Sequence, residues 1–162
     1  MLRTRRMIVA VTLGGCLTLQ AAAQAPEPTR FDATHCYLVD QYVIESGGTY
    51  RVNGIQQRGS IRSNVPGGEF DNAATRCAGA IATIDNNRAG GGFCEFAVSR
   101  DDRVLIRYTV EGQGGTSTFV SGTGRYKGVS GQLRFQSLPP IPSIEPNTTR
   151  ACNRITGEFK LN

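Results

Sequence analysis

The chain has very little histidine and no tryptophan. Of its 162 residues only His35 carries an imidazole, so a metal site built from several histidines and a mechanism that needs two of them are excluded. A Ser-His-Asp triad would have to use His35 itself. His35 directly precedes a cysteine near the start of the strand-like sequence, and we expect it to have a structural or solvent-exposed role.

Helical periodicity is also missing from the sequence. No segment repeats apolar residues at the three- and four-residue spacing of an amphipathic helix. Eight short runs rich in β-branched and aromatic residues are present instead, and turn residues separate most of them. The pattern therefore predicts an all-β protein, with its strands in an antiparallel sandwich or a closed barrel. The runs are residues 37–45, 50–61, 75–84, 93–100, 103–111, 116–121, 131–137 and 150–161.

Alternation within one run indicates which side chains face the core. In residues 103–111, Val104, Ile106, Tyr108 and Val110 fall on one face, because successive strand side chains point to opposite sides. The other face carries Leu105, Arg107, Thr109 and Glu111. We expect the first set to be buried.

The first 23 residues have the pattern of a secretory signal peptide, with three arginines, an apolar stretch over 7–19 and three alanines at 21–23. The apolar stretch is shorter than the roughly 20 residues that cross a bilayer. We therefore expect no transmembrane segment in the mature chain, and a periplasmic or secreted protein. Two other export signals stay open: a lipoprotein signal, which would lipidate Cys16, and a twin-arginine signal. After the signal we expect a polar leader at 24–35 and a single barrel domain at 36–162.

Charge excludes one class of partner. Removing the three arginines of the signal from 18 basic residues leaves 15 against 13 acidic ones, a net charge of +2. The remaining arginines are scattered along the runs and form no cluster. The sequence therefore predicts no nucleic-acid partner.

The mature chain keeps four cysteines, an even number in a protein bound for an oxidising compartment. This favours two disulfides. A zinc site would show short C-x2-C spacings, which are missing here, so we expect neither a metal nor a cofactor. The four are Cys36, Cys77, Cys94 and Cys152.

A glycine cluster stands out in the second half of the chain, where Gly122, Gly124, Gly128 and Gly131 surround Tyr126. A nucleotide-binding glycine loop would lead into a helix, whereas the residues that follow this cluster have strand character. Glycines allow a compact turn in which two backbones come close together. We interpret the cluster as a structural turn that seals one end of a barrel, with Tyr126 as its hydrophobic plug.

In this spacing the cluster resembles the G-x-G-x-aromatic-x-G-x-x-G turn of the allene oxide cyclases and dirigent proteins. The strand after it, from Gly131 to Pro140, is similar to the cyclases in its order Gly-Gln-aliphatic-basic-apolar-Gln before prolines. The resemblance implies an eight-stranded antiparallel barrel that forms dimers or trimers. It also implies an interior that binds a hydrophobic intermediate, with a glutamate and an ordered water assisting in the cyclases.

Such a barrel leads to a prediction for the disulfides. If successive strands run up and down, Cys36 and Cys77 begin strands at one end, and Cys94 and Cys152 begin strands at the other. A disulfide requires Cα atoms within about 7 Å, and a simple hairpin between the third and fourth strands would place Cys77 opposite Ser99. We therefore predict the pairs Cys36 with Cys77 and Cys94 with Cys152.

Two functions follow from these observations. The first is an exported, disulfide-bonded barrel that binds a small hydrophobic ligand or a partner; the alternative is a cofactor-free isomerase or cyclase that works inside the barrel. For the second, the candidate catalytic residue is Glu95, on the same face as Phe93 and Ala97. If that face points inward, burial would raise the pKa of Glu95 and suit it to proton transfer. If it points outward, Glu95 would be solvated or paired with Arg107.

Overall fold

The protein is a closed barrel of eight antiparallel strands, each paired with the next, and the last paired with the first. The computed structural model describes residues 27–142 and 148–161. The predicted signal peptide and Cys16 lie outside the described residues. The predicted fold class is confirmed. The strands are β1 (Thr29–Ser46), β2 (Tyr50–Ser63), β3 (Ala74–Ile84), β4 (Asn87–Ala97), β5 (Arg103–Glu111), β6 (Gly114–Gly122), β7 (Ser130–Ser137) and β8 (Thr148–Lys160).

Inward-facing side chains form the core. Val104, Ile106, Tyr108 and Val110 are all buried, as the alternation in β5 predicts. Within the part of the chain that the structure describes, no helix has the length and apolar character needed to cross a bilayer.

Strand β1 begins earlier than the sequence indicated. It starts at Thr29, so much of the segment predicted as a polar leader belongs to the barrel. Phe31 and Ala33 are buried on its inner face, while Asp32 on its outer face is held by Arg154. In an antiparallel strand with one face towards the core, apolar residues alternate with polar ones. This alternation explains why the sequence of the segment predicts a polar leader.

One end of the barrel, called the closed end here, is filled by aromatic rings. Phe70 enters it from the loop between β2 and β3, and its ring stacks on Tyr126 with centroids 4.6 Å apart. Both side chains are fully buried. The rings of Phe31, Phe119 and Phe159 lie 5.5 to 6.1 Å from that of Phe70. This packing closes the interior on the side of the loop between β2 and β3.

The four cysteines among the described residues form two disulfides, but the predicted pairing is wrong. The bonds are Cys36–Cys152, with Cα atoms 4.1 Å apart, and Cys77–Cys94, with Cα atoms 4.0 Å apart. Each links residues that lie directly opposite each other on neighbouring strands. Cys77 and Cys94 therefore belong to the hairpin that was expected to keep them apart.

The turn between β3 and β4 explains that error. Asp85 and Asn86 both have positive φ, +46° and +68°, as in the two-residue turns that make tight hairpins. The strands pair immediately on both sides of this turn, up to Ile84 opposite Asn87. The glycines at 90–92, which fall between the predicted runs 75–84 and 93–100, therefore lie within β4, and Cys94 lies opposite Cys77.

Candidate functional site

The half of the barrel opposite the closed end contains two adjoining chambers. The inner chamber has a volume of about 80 Å³ and the outer one about 350 Å³. Ligand pockets typically measure about 300–1,000 Å³, so the outer chamber alone falls in that range. The residues that line both chambers, and so form the neck between them, are Tyr37, Gln57, Ile81, Arg88 and Ser137.

A pair of glycines creates room for a tyrosine at the inner chamber. Gly79 on β3 and Gly92 on β4 lie opposite each other. A Cβ atom at either position would collide with the hydroxyl of Tyr108, which reaches across from β5. The glycines in these strands thus let a large polar side chain lie flat against the barrel wall.

Two buried polar atoms in the inner chamber have no hydrogen-bond partner among the described residues. They are the Tyr108 hydroxyl and Oδ1 of Asn153. The side chain of Asn153 lies beside the Tyr37 hydroxyl, and its carbonyl oxygen is free to accept a hydrogen bond. Burial raises the pKa of Tyr37, and it raises the pKa of Tyr108 to about 12, so both phenols are protonated at neutral pH. Around them the chamber is largely apolar, with Phe96, Ile106, Val110, Phe135 and Ile155 in its wall.

His35 lies in the wall of the inner chamber and is 4% exposed. Its Nε2 is 2.8 Å from Oγ1 of Thr75, and its ring lies against those of Tyr37 and Phe96. Burial lowers the pKa of His35 from 6.5 to about 4, so the ring is neutral at pH 7. The imidazole therefore adds a neutral polar group to the interior.

The state of His35 predicts a pH dependence of stability. The unfolded chain protonates this ring near pH 6.5, whereas the folded chain resists protonation down to about pH 4. The contribution of the neutral, buried imidazole to the free energy of unfolding is therefore complete above pH 6.5. It falls by up to about 3 kcal/mol as the pH drops towards 4. Urea denaturation of the protein and of His35→Gln between pH 7 and pH 4 should show a difference that shrinks as the pH falls. A constant difference would contradict this.

Glu95 does not lie inside the barrel. It shares the outer face of β4 with Phe93, which is half exposed, while Cys94 and Phe96 point inward. Its carboxylate is 2.9 Å from the guanidinium of Arg103, not paired with Arg107. Glu95 therefore does not point inward as a catalytic role in the barrel would require, because its neighbours Cys94 and Phe96 are the side chains of β4 that face the interior.

The glycine cluster lies at the closed end, away from both chambers. A short 3-10 helix, Gly124–Tyr126, follows Gly122, and Gly124 has a φ of +56° that glycine adopts without strain. The Tyr126 hydroxyl donates to Glu69 at 2.8 Å and accepts from Arg125 at 2.7 Å. The buried ring thus has a satisfied polar end.

Comparison with solved structures supports the barrel interpretation. The pterocarpan synthase dirigent protein GePTS1 superimposes with a TM-score of 0.53 at 11% identity, over 93% of this chain and all of its own. A second, PsPTS1, gives a TM-score of 0.50 at 12% identity, over 86% of this chain and 98% of its own. No protein-family profile matches the chain, and no curated protein matches it in sequence.

The chain thus has the dirigent-like barrel fold that the glycine turn pointed to. At this identity the likeness concerns the fold alone. The dimer or trimer implied by the resemblance stays a prediction.

The sequence interpretation did not single out Tyr37, Arg88 or Asn153. A usable signal exists for Tyr108, which falls among the aliphatic residues of the inward face of β5. A polar-tipped side chain on the inner face of a small barrel must either find a partner or line a cavity. Tyr37 could be found in the same way, two residues after His35 on β1.

Proposed function

We propose that the barrel binds one small, largely apolar molecule in its two chambers and holds it by hydrogen bonds at the inner end. The observation that carries this proposal is the pair of buried polar atoms, Tyr108 Oη and Asn153 Oδ1, that no described protein group satisfies. A donor and an acceptor of this kind in an apolar wall are what a binding pocket uses to orient its ligand. Tyr108 can donate, since its phenol is protonated, and Asn153 can accept.

The fold supports the same proposal. An eight-stranded barrel is either filled by side chains or wide enough for one small ligand. Here aromatic rings fill the closed end, while the other half holds the chambers. Two disulfides support an exported protein, since such bonds persist in oxidising compartments. Because Glu95 lies outside, we do not propose chemistry at that residue.

A neutral probe tests whether the chambers bind. Titration with 3-phenylpropan-1-ol, followed by backbone amide NMR and calorimetry, should give saturable binding with shifts at the residues that line both chambers. Ala151→Phe places a ring in the outer chamber, because Ala151 lines it, and should weaken binding at least about tenfold. Ala78→Phe adds the same ring on the outer face of β3 and should leave binding unchanged.

A second variant covers the case in which Ala151→Phe does not fold. Tyr108→Phe removes only the hydroxyl that we expect to donate to the ligand, and it should weaken binding several-fold. Absence of saturable binding by the unmodified protein would overturn the proposal. So would shifts confined to the outer surface of the barrel.

A further inference from the structure

We infer that Arg88 binds a carboxylate, and hence that the molecule held in the barrel is a small apolar carboxylic acid. This inference rests on the proposed function and specifies its ligand. It starts from the position of Arg88, the second residue of β4, whose side chain lines both chambers at their neck. Its positive charge acts on the neighbouring Tyr37, whose pKa it lowers against the larger effect of burial.

The charge of Arg88 has no counterpart at the neck. Among the described residues that line the two chambers, Arg88 is the charged side chain and none is Asp or Glu. Neither Asp85 in the adjoining turn nor Glu111 on β5 forms an ion pair with it. Six other arginines of the described chain pair with carboxylates, namely Arg30, Arg58, Arg62, Arg103, Arg125 and Arg154. The remaining arginines of the described chain form no ion pair either, but none of them lines either chamber.

A half-buried arginine at the rim of an apolar cavity is a favourable site for a carboxylate. Its planar guanidinium offers paired donors that match the two oxygens of that group, and such charged hydrogen bonds are about twice as strong as neutral ones. The apolar side chains beyond the neck would then contact the body of the ligand. In the outer chamber these are Val39, Ile55, Ile81 and Ala151.

Volume limits the size of the acid. The inner chamber, at about 80 Å³, is smaller than the roughly 150 Å³ cavity that takes up one benzene molecule. The carboxylate therefore lies in the inner chamber, whose wall includes both Arg88 and Tyr108, and most of the apolar part of the ligand lies in the outer chamber of about 350 Å³. One aromatic ring or a short branched chain fits this arrangement, and a long acyl chain does not.

A matched pair of probes separates this inference from the proposed function. 3-Phenylpropanoate and 3-phenylpropan-1-ol share one carbon skeleton and differ in the charged oxygen group. We expect calorimetry at pH 7 to show the acid bound at least about tenfold more tightly than the alcohol. Arg88→Gln should abolish that preference, because the acid loses its charged partner and should then bind no more tightly than the alcohol.

A second arginine variant shows whether the preference for the acid depends on Arg88 in particular. Arg107→Gln removes an exposed arginine from the outer face of β5 and should leave the preference for the acid intact. If the alcohol binds but the acid binds no more tightly, or if Arg88→Gln keeps the preference, the assignment of Arg88 is overturned and the proposed function stands. If neither probe binds, both fall.

Discussion

Replacing Cys36 and Cys152 together by alanine should lower the free energy of unfolding by about 5 kcal/mol. This disulfide joins residues 116 apart in the chain, so its loss frees a very long loop in the unfolded state. On the chain-entropy account, stabilisation by a disulfide grows with the logarithm of the loop that it closes. Because small domains have only about 5–15 kcal/mol of stability, this variant should be near the limit of folding at 25 °C.

The other disulfide provides the matched control. Cys77 and Cys94 are 17 residues apart, and the same account gives about 3 kcal/mol for their bond. Urea denaturation of the two double variants, each compared with the unmodified protein, measures the difference. An equal loss in both, or a larger loss on removal of Cys77–Cys94, would show that loop entropy does not determine the ranking.

Phe70→Ala should cost about 4 kcal/mol of unfolding free energy. The ring of Phe70 is 1% exposed and contacts five other aromatic rings, those of Phe31, Phe96, Phe119, Tyr126 and Phe159. Truncation to alanine removes these contacts and leaves a cavity at the closed end, which the rigid barrel wall cannot fill by collapse. The same denaturation experiment measures the loss.

Phe93, on the outer face of β4, is a control that shows whether the loss comes from burial of the Phe70 ring or from the removal of any phenylalanine. Phe93 is 50% exposed, so Phe93→Ala should cost less than about 1 kcal/mol. Phe70→Leu keeps most of the apolar volume and should give an intermediate loss. If Phe70→Ala destabilised the protein no more than Phe93→Ala, the closed end would not be the packed plug described above.

Local patterns in the sequence predicted the fold well where one face of a strand is apolar. The alternation in β5 identifies its buried side, and the glycine cluster around Tyr126 identifies the turn that closes the barrel. Both signals are short-range: strand periodicity and turn geometry depend on residues close together in the chain. These features therefore required no knowledge of distant contacts.

Two of the wrong predictions, the disulfide pairing and the orientation of Glu95, concern strand β4, where such signals are weak. Its first half contains Gly90, Gly91 and Gly92, which carry no side chains to reveal a face, and the inward phase is set by Cys94 and Phe96. The register depends on a two-residue turn in which Asp85 and Asn86 adopt positive φ, a conformation uncommon for residues other than glycine. A turn of another length would shift the pairing partner of every residue in β3 and β4. The wrong turn length therefore gave the wrong disulfide pairing.

The candidate site was harder to predict, because its residues come from distant parts of the chain. Tyr37, Arg88, Tyr108 and Asn153 lie on four different strands and meet only when the barrel closes. Phe70 escaped prediction for another reason, because it is a bulky residue with a φ of +63° in a loop where neither strand nor helix periodicity applies. Tertiary packing holds it in that conformation.

The pairing of β1 with β8 has a consequence for how the protein is made. These strands are joined along twelve residue pairs, from Thr29 opposite Phe159 to Asp40 opposite Thr148. Until β8 has been added to the barrel, β1 has a free edge that can pair with another chain. Closure of the barrel is slow, because partners far apart in sequence must find each other. A chaperone that covers the edge of β1 until β8 pairs with it should raise the yield of folded protein.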